Sequence, residues 1–476
     1  MDAGQAPRNR GQRALQQRNA RRANQHFMAR TSDVINSIAR NSPARLALIV
    51  FALIIIIFTI LLELPAATTF GRSAPLVDAF FTATSAVCVT GLVTVDTALY
   101  WSGFGQFIIM IGMAIGGLGV MTLASILGMA VSRRIGLTQK FLAANETKSR
   151  LGEVGSLVKT VVIVSLSAQI VLFFVLIPFF HDKGDSLLGA LWHSLFMAVS
   201  IFNNGGFVIM PEGLTPYVGS WSLVIPIIFG TFVGAIGFPV VMDMSRNIRR
   251  PDKWNLTTKL TLVTYFVIFA ISAVSIGLLE WWNPATFGDL SVGERIAASL
   301  LHAADARSSG LSTIDIAQMN QTTWFTLDIL MFIGGGSAST AGGIKVTTLA
   351  VLVLAVLAEA RGDRDTEAFG KRLPAEVLRL AIAAVLMGAV LVGFGTLALL
   401  QMTDFELSQI LFEVISAFGT CGLSTGITAA LPESAKWVLI ILMFAGRTGT
   451  MTLAAALALR ARRRVIRLPE ERPIIG

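Results

Sequence analysis

Four short segments, each centred on one glycine, constrain this chain more than any other feature in it. They read TSAVCVTGLVT ending at Thr94, VSIFNNGGFVIM ending at Met210, ADARSSGLSTID ending at Asp315, and ISAFGTCGLSTGIT ending at Thr428. Their aligned glycines, Gly91, Gly206, Gly310 and Gly422, recur at intervals of 115, 104 and 112 residues. So steady a period marks one structural unit used four times. A short, moderately apolar stretch of helical character precedes each glycine, at 75–87, 187–200, 293–304 and 406–418. A bilayer-spanning helix needs about 20 apolar residues, so these stretches are too short to cross and read as re-entrant helices.

Longer apolar runs flank every short one. Full spans are expected near 45–62, 161–180, 260–279 and 377–400 before the short helices, and near 104–131, 221–242, 324–357 and 435–459 after them. Only 14% of the residues are charged and 54% are hydrophobic. A soluble chain carries about a quarter charged residues, so this one cannot coat a water-facing surface. The expected fold is an all-α integral membrane protein: four helix, re-entrant helix, helix repeats around one pore, with eight transmembrane helices. The units fall at 45–134, 158–247, 258–360 and 375–462, between a basic arm at 1–44 and a tail at 463–476.

Basic residues set the orientation. The stretches after the second, fourth, sixth and eighth spans carry Arg133, Arg134 and Lys140; Arg246, Arg249 and Arg250; Arg361, Arg364, Lys371 and Arg372; and Arg460, Arg462, Arg463, Arg464 and Arg467. The N-terminal stretch through Arg45 adds nine arginines against Asp2 and Asp33. By the positive-inside rule both termini are expected in the cytoplasm of a cell-membrane protein, and the glycine loops enter from outside. The net charge of +9 is then a sign of topology, with anionic lipid as the arm's partner rather than nucleic acid. Two cysteines and four scattered histidines match neither a disulfide framework nor a metal site.

Non-helical backbone survives inside a bilayer only where it is buried or lines water or an ion. Four quasi-equivalent loops can form a ring of carbonyls that replaces an ion's hydration shell. Glycine suits the narrowest point because it opens backbone torsions closed to other residues and adds no side chain. Helix C-terminal ends directed at the centre favour a cation. The candidate filter is Val89, Thr90 and Gly91; Asn204, Gly205 and Gly206; Ser308, Ser309 and Gly310; and Thr420, Cys421 and Gly422, with Thr90, Asn204, Ser308 and Thr420 adding side-chain oxygens at the rim. The alternative is four glycine turns at ordinary helix corners.

Two further features interrupt spans. GGGSASTAGGIK at 334–345 breaks the sixth at bilayer depth, and a passive kink would need fewer glycines. The candidate gate residues there are Gly334, Gly335, Gly336, Ser337, Ser339, Thr340, Gly342, Gly343 and Lys345. Arg447 sits in the middle of the last span, where a charge costs about 2.5–3.5 kcal/mol on insertion scales and faces the interior or a wet cavity. It either faces the ion path or pairs with an interior acid. Glu63, Asp328 and Glu413 read as structural caps.

VCVTGL at 87–92, FNNGGF at 202–207, FGTCGLSTG at 418–426, the 334–345 segment and the terminal LPEERPIIG resemble the Trk/Ktr/HKT superfamily of potassium transporters, closest to its bacterial Ktr-type membrane subunit. The resemblance runs from about residue 45 to the end. It implies potassium uptake promoted by sodium and a homodimer with one pore per subunit. The implied partner is a cytoplasmic, KtrA-like regulatory ring of RCK type, which binds ATP or ADP; the membrane chain carries no covalent cofactor. It implies that 334–345 is an intramembrane gating loop faced by Arg447. Departures from the family pattern are Gly205, the segment Ser308-Ser309-Gly310-Leu311, and Ala338-Ser339 in the loop. The rival readings are a proton-coupled potassium symporter, sodium conduction, and a membrane enzyme, which would need convergent His, Asp and Glu groups.

Overall fold

The computed structural model describes residues 43–119 and 154–449. Most of the expected basic arm, the far end of the second span with Arg133, Arg134 and Lys140, and the chain beyond 449 lie outside the described residues. Helices follow in the order α1 (Pro43–Glu63), α2 (Leu76–Cys88) and α3 (Gly103–Gly117); α4 (Val154–Asp182), α5 (Leu187–Asn203), α6 (Trp221–Ile236) and α7 (Phe238–Arg246). Then come α8 (Leu256–Glu280), α9 (Val292–Asp305), α10 (Gln321–Phe332) and α11 (Val346–Arg361); and α12 (Ala375–Met402), α13 (Leu407–Gly419) and α14 (Glu433–Thr448). A small antiparallel hairpin, Glu367–Ala368 with Lys371–Arg372, joins α11 to α12.

The starts of several helices are written locally. Ser102 and Ser186 accept the backbone N–H of Gly105 and Gly189, and Ser291 with Glu294 forms a reciprocal capping box at the head of α9. Each short helix then packs on the long helix before it, α2 on α1, α5 on α4, α9 on α8 and α13 on α12. Each also packs on the second helix of the unit before: α5 on α3, α9 on α6 and α13 on α10. α2 packs on α14, which closes the circle.

Burial sorts the helices into an inner and an outer set. Phe196 to Asn203 of α5 and Phe412 to Gly419 of α13 are buried residue after residue. The long helices instead expose apolar side chains outward, Ile163 and Phe174 on α4, Val263 and Phe266 on α8, Leu386 and Phe394 on α12. An apolar exterior around a polar-backboned centre is the arrangement a bilayer demands. Among the described residues three helices, Lys159–Asp182, Leu256–Glu280 and Ala375–Met402, are long and apolar enough to cross a membrane. The bent pair α6 and α7 makes a fourth candidate.

That bend differs from the single span expected over 221–242. α6 and α7 meet at 93°. The corner is Gly237, at φ +105, where a Cβ would overlap the carbonyl oxygen of Ser337. Phe238 N–H donates to Ala338 O at 3.1 Å, and Pro239 suits the first turn of a new helix. The chain turns here to make room for the segment between α10 and α11. That segment is non-helical from Ile333 to Lys345, as its glycines led one to expect.

Candidate functional site: a glycine ring and the loop against it

Three of the short helices end in one way. Val89, Asn204 and Thr420 are left-handed C-terminal caps at φ 56°, 59° and 47°. Val89 N–H donates to Ala86 O and Thr90 N–H to Ser85 O; Asn204 and Gly205 bond Ile201 and Ser200, and Thr420 and Cys421 bond Ala417 and Ser416, in the same pattern. These paired bonds are the Schellman arrangement, which satisfies the last carbonyls of a helix while reversing the chain. The α9 end departs from it. Ala306 N–H bonds His302 O and Ser309 N–H bonds Asp305 O, so the helical turn runs on before Ser308 takes its positive φ of 80°.

Two residues past each reversal stands the repeated glycine. Gly91, Gly206, Gly310 and Gly422 all have positive φ, at 90°, 71°, 69° and 91°. They also touch in a cycle. A Cβ on Gly91 would lie 2.8 Å from Gly206 Cα and 2.9 Å from Gly205 O, and one on Gly206 would lie 2.9 Å from Gly91 Cα and 3.1 Å from Ser309 O. One on Gly310 would lie 2.7 Å from Cys421 O and 3.2 Å from both Gly206 and Gly422 Cα. One on Gly422 would overlap Thr90 O and lie 3.1 Å from Gly91 Cα. Each glycine therefore abuts the carbonyl of the residue before the next unit's glycine. Segments more than a hundred residues apart in sequence form one small ring of backbone.

The serine that braces this ring escaped the sequence reading. Ser85 Oγ accepts from Gly91 N–H at 3.0 Å and Ser416 Oγ accepts from Gly422 N–H at 3.1 Å, while Ser200 Oγ donates to Phe207 O at 2.8 Å. Each stands six residues before its glycine, so the repeat alignment itself held the signal. The third unit has Ala304 there, in step with its different helix end. Removing such a hydroxyl leaves a buried N–H without an acceptor, a loss of about 1–3 kcal/mol. Ser85→Ala and Ser416→Ala are each expected to lower stability by that amount in detergent-induced unfolding of the full chain.

The expected rim oxygens divide into two groups. The Thr90 and Thr420 hydroxyls are buried with no hydrogen-bond partner among the described residues. Asn204 and Ser308 instead engage the loop 334–345: Asn204 Nδ2 donates to Thr340 Oγ1 at 2.9 Å, and Gly342 N–H donates to Ser308 Oγ at 3.3 Å. Ser308 Oγ in turn donates to Gly419 O at 2.8 Å. The loop is tied down from its other sides as well. Gly334 N–H bonds Ile344 O at 2.8 Å, Gly336 N–H bonds Ala235 O at 2.8 Å, and Thr340 N–H bonds Gly234 O at 3.2 Å. Ser337 and Thr347 share a hydroxyl bond at 3.1 Å, Ser339 Oγ accepts from Ala341 N–H at 3.2 Å, and Lys345 Nζ donates to Ala341 O at 2.8 Å. A Cβ at Gly335 would come within 2.7 Å of Ala235 O, and Gly343 lies at φ +63.

Arg447 enters from α14 and is nearly buried. Its Nη1 donates to Thr340 O and its Nη2 to Gly116 O, so one guanidinium joins the loop to the end of α3. Of the two roles open to it, the recorded bonds go to carbonyls rather than to an acid. Glu413, on α13, accepts from the Ser424 and Thr428 hydroxyls at 2.5 and 2.7 Å and from Thr425 N–H at 2.9 Å, pinning the segment after the fourth glycine. Asp328 is buried in α10, and Oδ1 of its carboxylate has no recorded partner among the described residues.

Comparison with known proteins bears on the fold and the family. The family model described as "TrkH: Cation transport protein" matches residues 27–463. The chain is 37% identical over 452 residues to the Ktr system potassium uptake protein B of Bacillus subtilis, covering 94% of this chain and all of that one. It is 33% identical over 449 residues to the potassium/sodium uptake protein NtpJ of Enterococcus hirae, covering 92% and 98%. The crystal structure of the potassium transporter TrkH from Vibrio parahaemolyticus superposes with a TM-score of 0.68 at 18% identity, over 86% of this chain and 84% of that one, a likeness of fold. A cyclic, mostly helical membrane fold and a sequence match over nearly its whole length place this chain in the TrkH family of cation transport proteins.

Proposed function

We propose that the chain takes up potassium across the cell membrane through the ring of four glycines. The observation that carries this reading is the closed cycle in which each glycine abuts the preceding carbonyl of its neighbour. Backbone oxygens of Thr90, Gly205, Ser309 and Cys421 then replace the water around a dehydrated cation. Val89, Asn204 and Thr420 cap α2, α5 and α13 one residue before those oxygens, and helix C-terminal ends so near the ring add negative potential. The relatives' names, which specify potassium uptake and in one case sodium as well, support the choice of ion.

In this reading the chain holds eight spans in four repeats, with both termini in the cytoplasm. The 334–345 loop and Arg447 form the gate, since the loop packs against the ring and the guanidinium sets a positive charge beside it. The transporter works as a homodimer on a cytoplasmic nucleotide-binding ring, which sets the gate, and sodium stimulates it. The exit from an occupied ring toward the cytoplasm requires the loop to withdraw. Flux into liposomes containing the full chain tests this. Expected is uptake of potassium and rubidium driven by the membrane potential with no pH gradient, and much slower sodium uptake. Equal sodium and potassium fluxes would remove the filter from the account.

One observation favours a second reading, proton-coupled symport. His302 and Asp305 are both fully buried, 3.9 Å apart between Nδ1 and Oδ2, at the end of the helix leading to the third glycine. Uptake that stops when the pH gradient is collapsed at constant membrane potential would support it.

A further inference from the structure

The loop touches the ring's supports at more points than a plug would need. Two positions of the loop make three contacts. Thr340 accepts from Asn204, Gly342 donates to Ser308, and a Cβ on Gly342 would overlap the Thr420 hydroxyl. Asn204, Ser308 and Thr420 are the left-handed residues that reverse the chain in the second, third and fourth units. The first unit has Val89 at that place, which offers no side-chain bond. It is reached another way, through Arg447, which bonds Thr340 O and Gly116 O together. Gly116 itself packs so closely on the α2 end that a Cβ there would overlap Val87 O.

We infer that the loop and the glycine ring are one coupled element, in which Asn204–Thr340 and Ser308–Gly342 make the ion preference of the ring depend on whether the loop is in place. The inference rests on the reading of the ring as filter and the loop as gate. Its physical basis is the backbone of the reversing residues. A non-glycine residue at positive φ is held there only when its surroundings over-determine it. The side chains of Asn204 and Ser308 are part of those surroundings. When the loop withdraws, both lose a partner, and the next carbonyls along, Gly205 O and Ser309 O, belong to the ring itself. Half of the ring's oxygens thus change their restraints with the gate. Linkage then works in both directions: an ion that prefers the restrained ring favours the seated loop, and the seated loop favours that ion.

Thr340→Val tests this, because it deletes the acceptor for Asn204 while leaving the Thr340 carbonyl that Arg447 holds. Full-length protein is reconstituted in liposomes, and uptake of rubidium, potassium and sodium is measured separately. Expected is a shift of roughly two- to tenfold in the rubidium-to-potassium or sodium-to-potassium ratio, the scale of one lost buried hydrogen bond. Thr340→Ser, which keeps the oxygen, restores the wild-type ratio. Arg447→Gln, which loosens the loop from the far side without touching Asn204 or Ser308, shifts the ratio in the same direction. Variants that raise the flux of all three ions equally would overturn the coupling and leave the gate standing. Variants that change neither flux nor ratio would overturn the gate, and the coupling with it.

Discussion

Gly91→Ser is expected to abolish selective potassium uptake while the protein still inserts in the membrane. The side chain has nowhere to go. Its Cβ would stand 2.8 Å from Gly206 Cα and 2.9 Å from Gly205 O, distances at which something must move, and both are backbone. The residue also holds φ at +90, where an L side chain adds roughly 1–2 kcal/mol of strain. At about 1.4 kcal/mol per factor of ten, that strain alone amounts to about tenfold in the population of the native ring, before any clash is counted. The opening must widen or the loop must turn its carbonyl away, and either change disfavours a dehydrated potassium ion against sodium. The measurement is growth of a potassium-uptake-deficient strain on low potassium, paired with the sodium-to-potassium flux ratio. A variant with full potassium selectivity would refute the filter assignment.

The four glycine segments could be read from sequence because the reason for them is local. A helix C-terminus, a left-handed reversal and a glycine recur at one spacing, and the positive φ values follow from it. The short helices before them were legible for the same reason, ending within three residues of where their composition placed them. What sequence could not supply was who touches whom. The 93° corner at Gly237 exists because Ser337 and Ala338, a hundred residues away, occupy the space a straight helix would use. The contact of Asn204 with Thr340 is likewise a product of the assembled ring. The bracing serines lie between these cases. Ser85, Ser200 and Ser416 share a register visible in the alignment, but a serine in an apolar helix carries no sign of function until its partner is known.

The second large effect is expected at Arg447. Arg447→Gln removes a cation whose two donors hold Thr340 O and Gly116 O. Bonds to a charged group contribute about 1.5–3 kcal/mol, so the balance between seated and withdrawn loop shifts roughly 10- to 100-fold toward withdrawal. The uptake rate rises accordingly, and its dependence on the regulatory ring proposed above weakens. Glutamine keeps one donor and much of the volume, so the comparison reports the charge and the second bond rather than a cavity. Liposome flux of the chain alone and with the proposed nucleotide-binding ring decides it. Unchanged flux under both conditions would exclude Arg447 from gating.

The ring is closed by a single covalent chain, which has a genetic consequence. In a pore built from four identical subunits, one codon change appears at all four positions at once. Here a mutation alters one quadrant and leaves three as they were. Substitutions near the ring should therefore range from mild losses to the collapse expected of Gly91→Ser, and the four quadrants are free to diverge one at a time. The third has begun to: it alone has Ala304 in place of the bracing serine and a helix that ends at Asp305 and reaches its glycine through further turns. Selection can tune this ring by quarters.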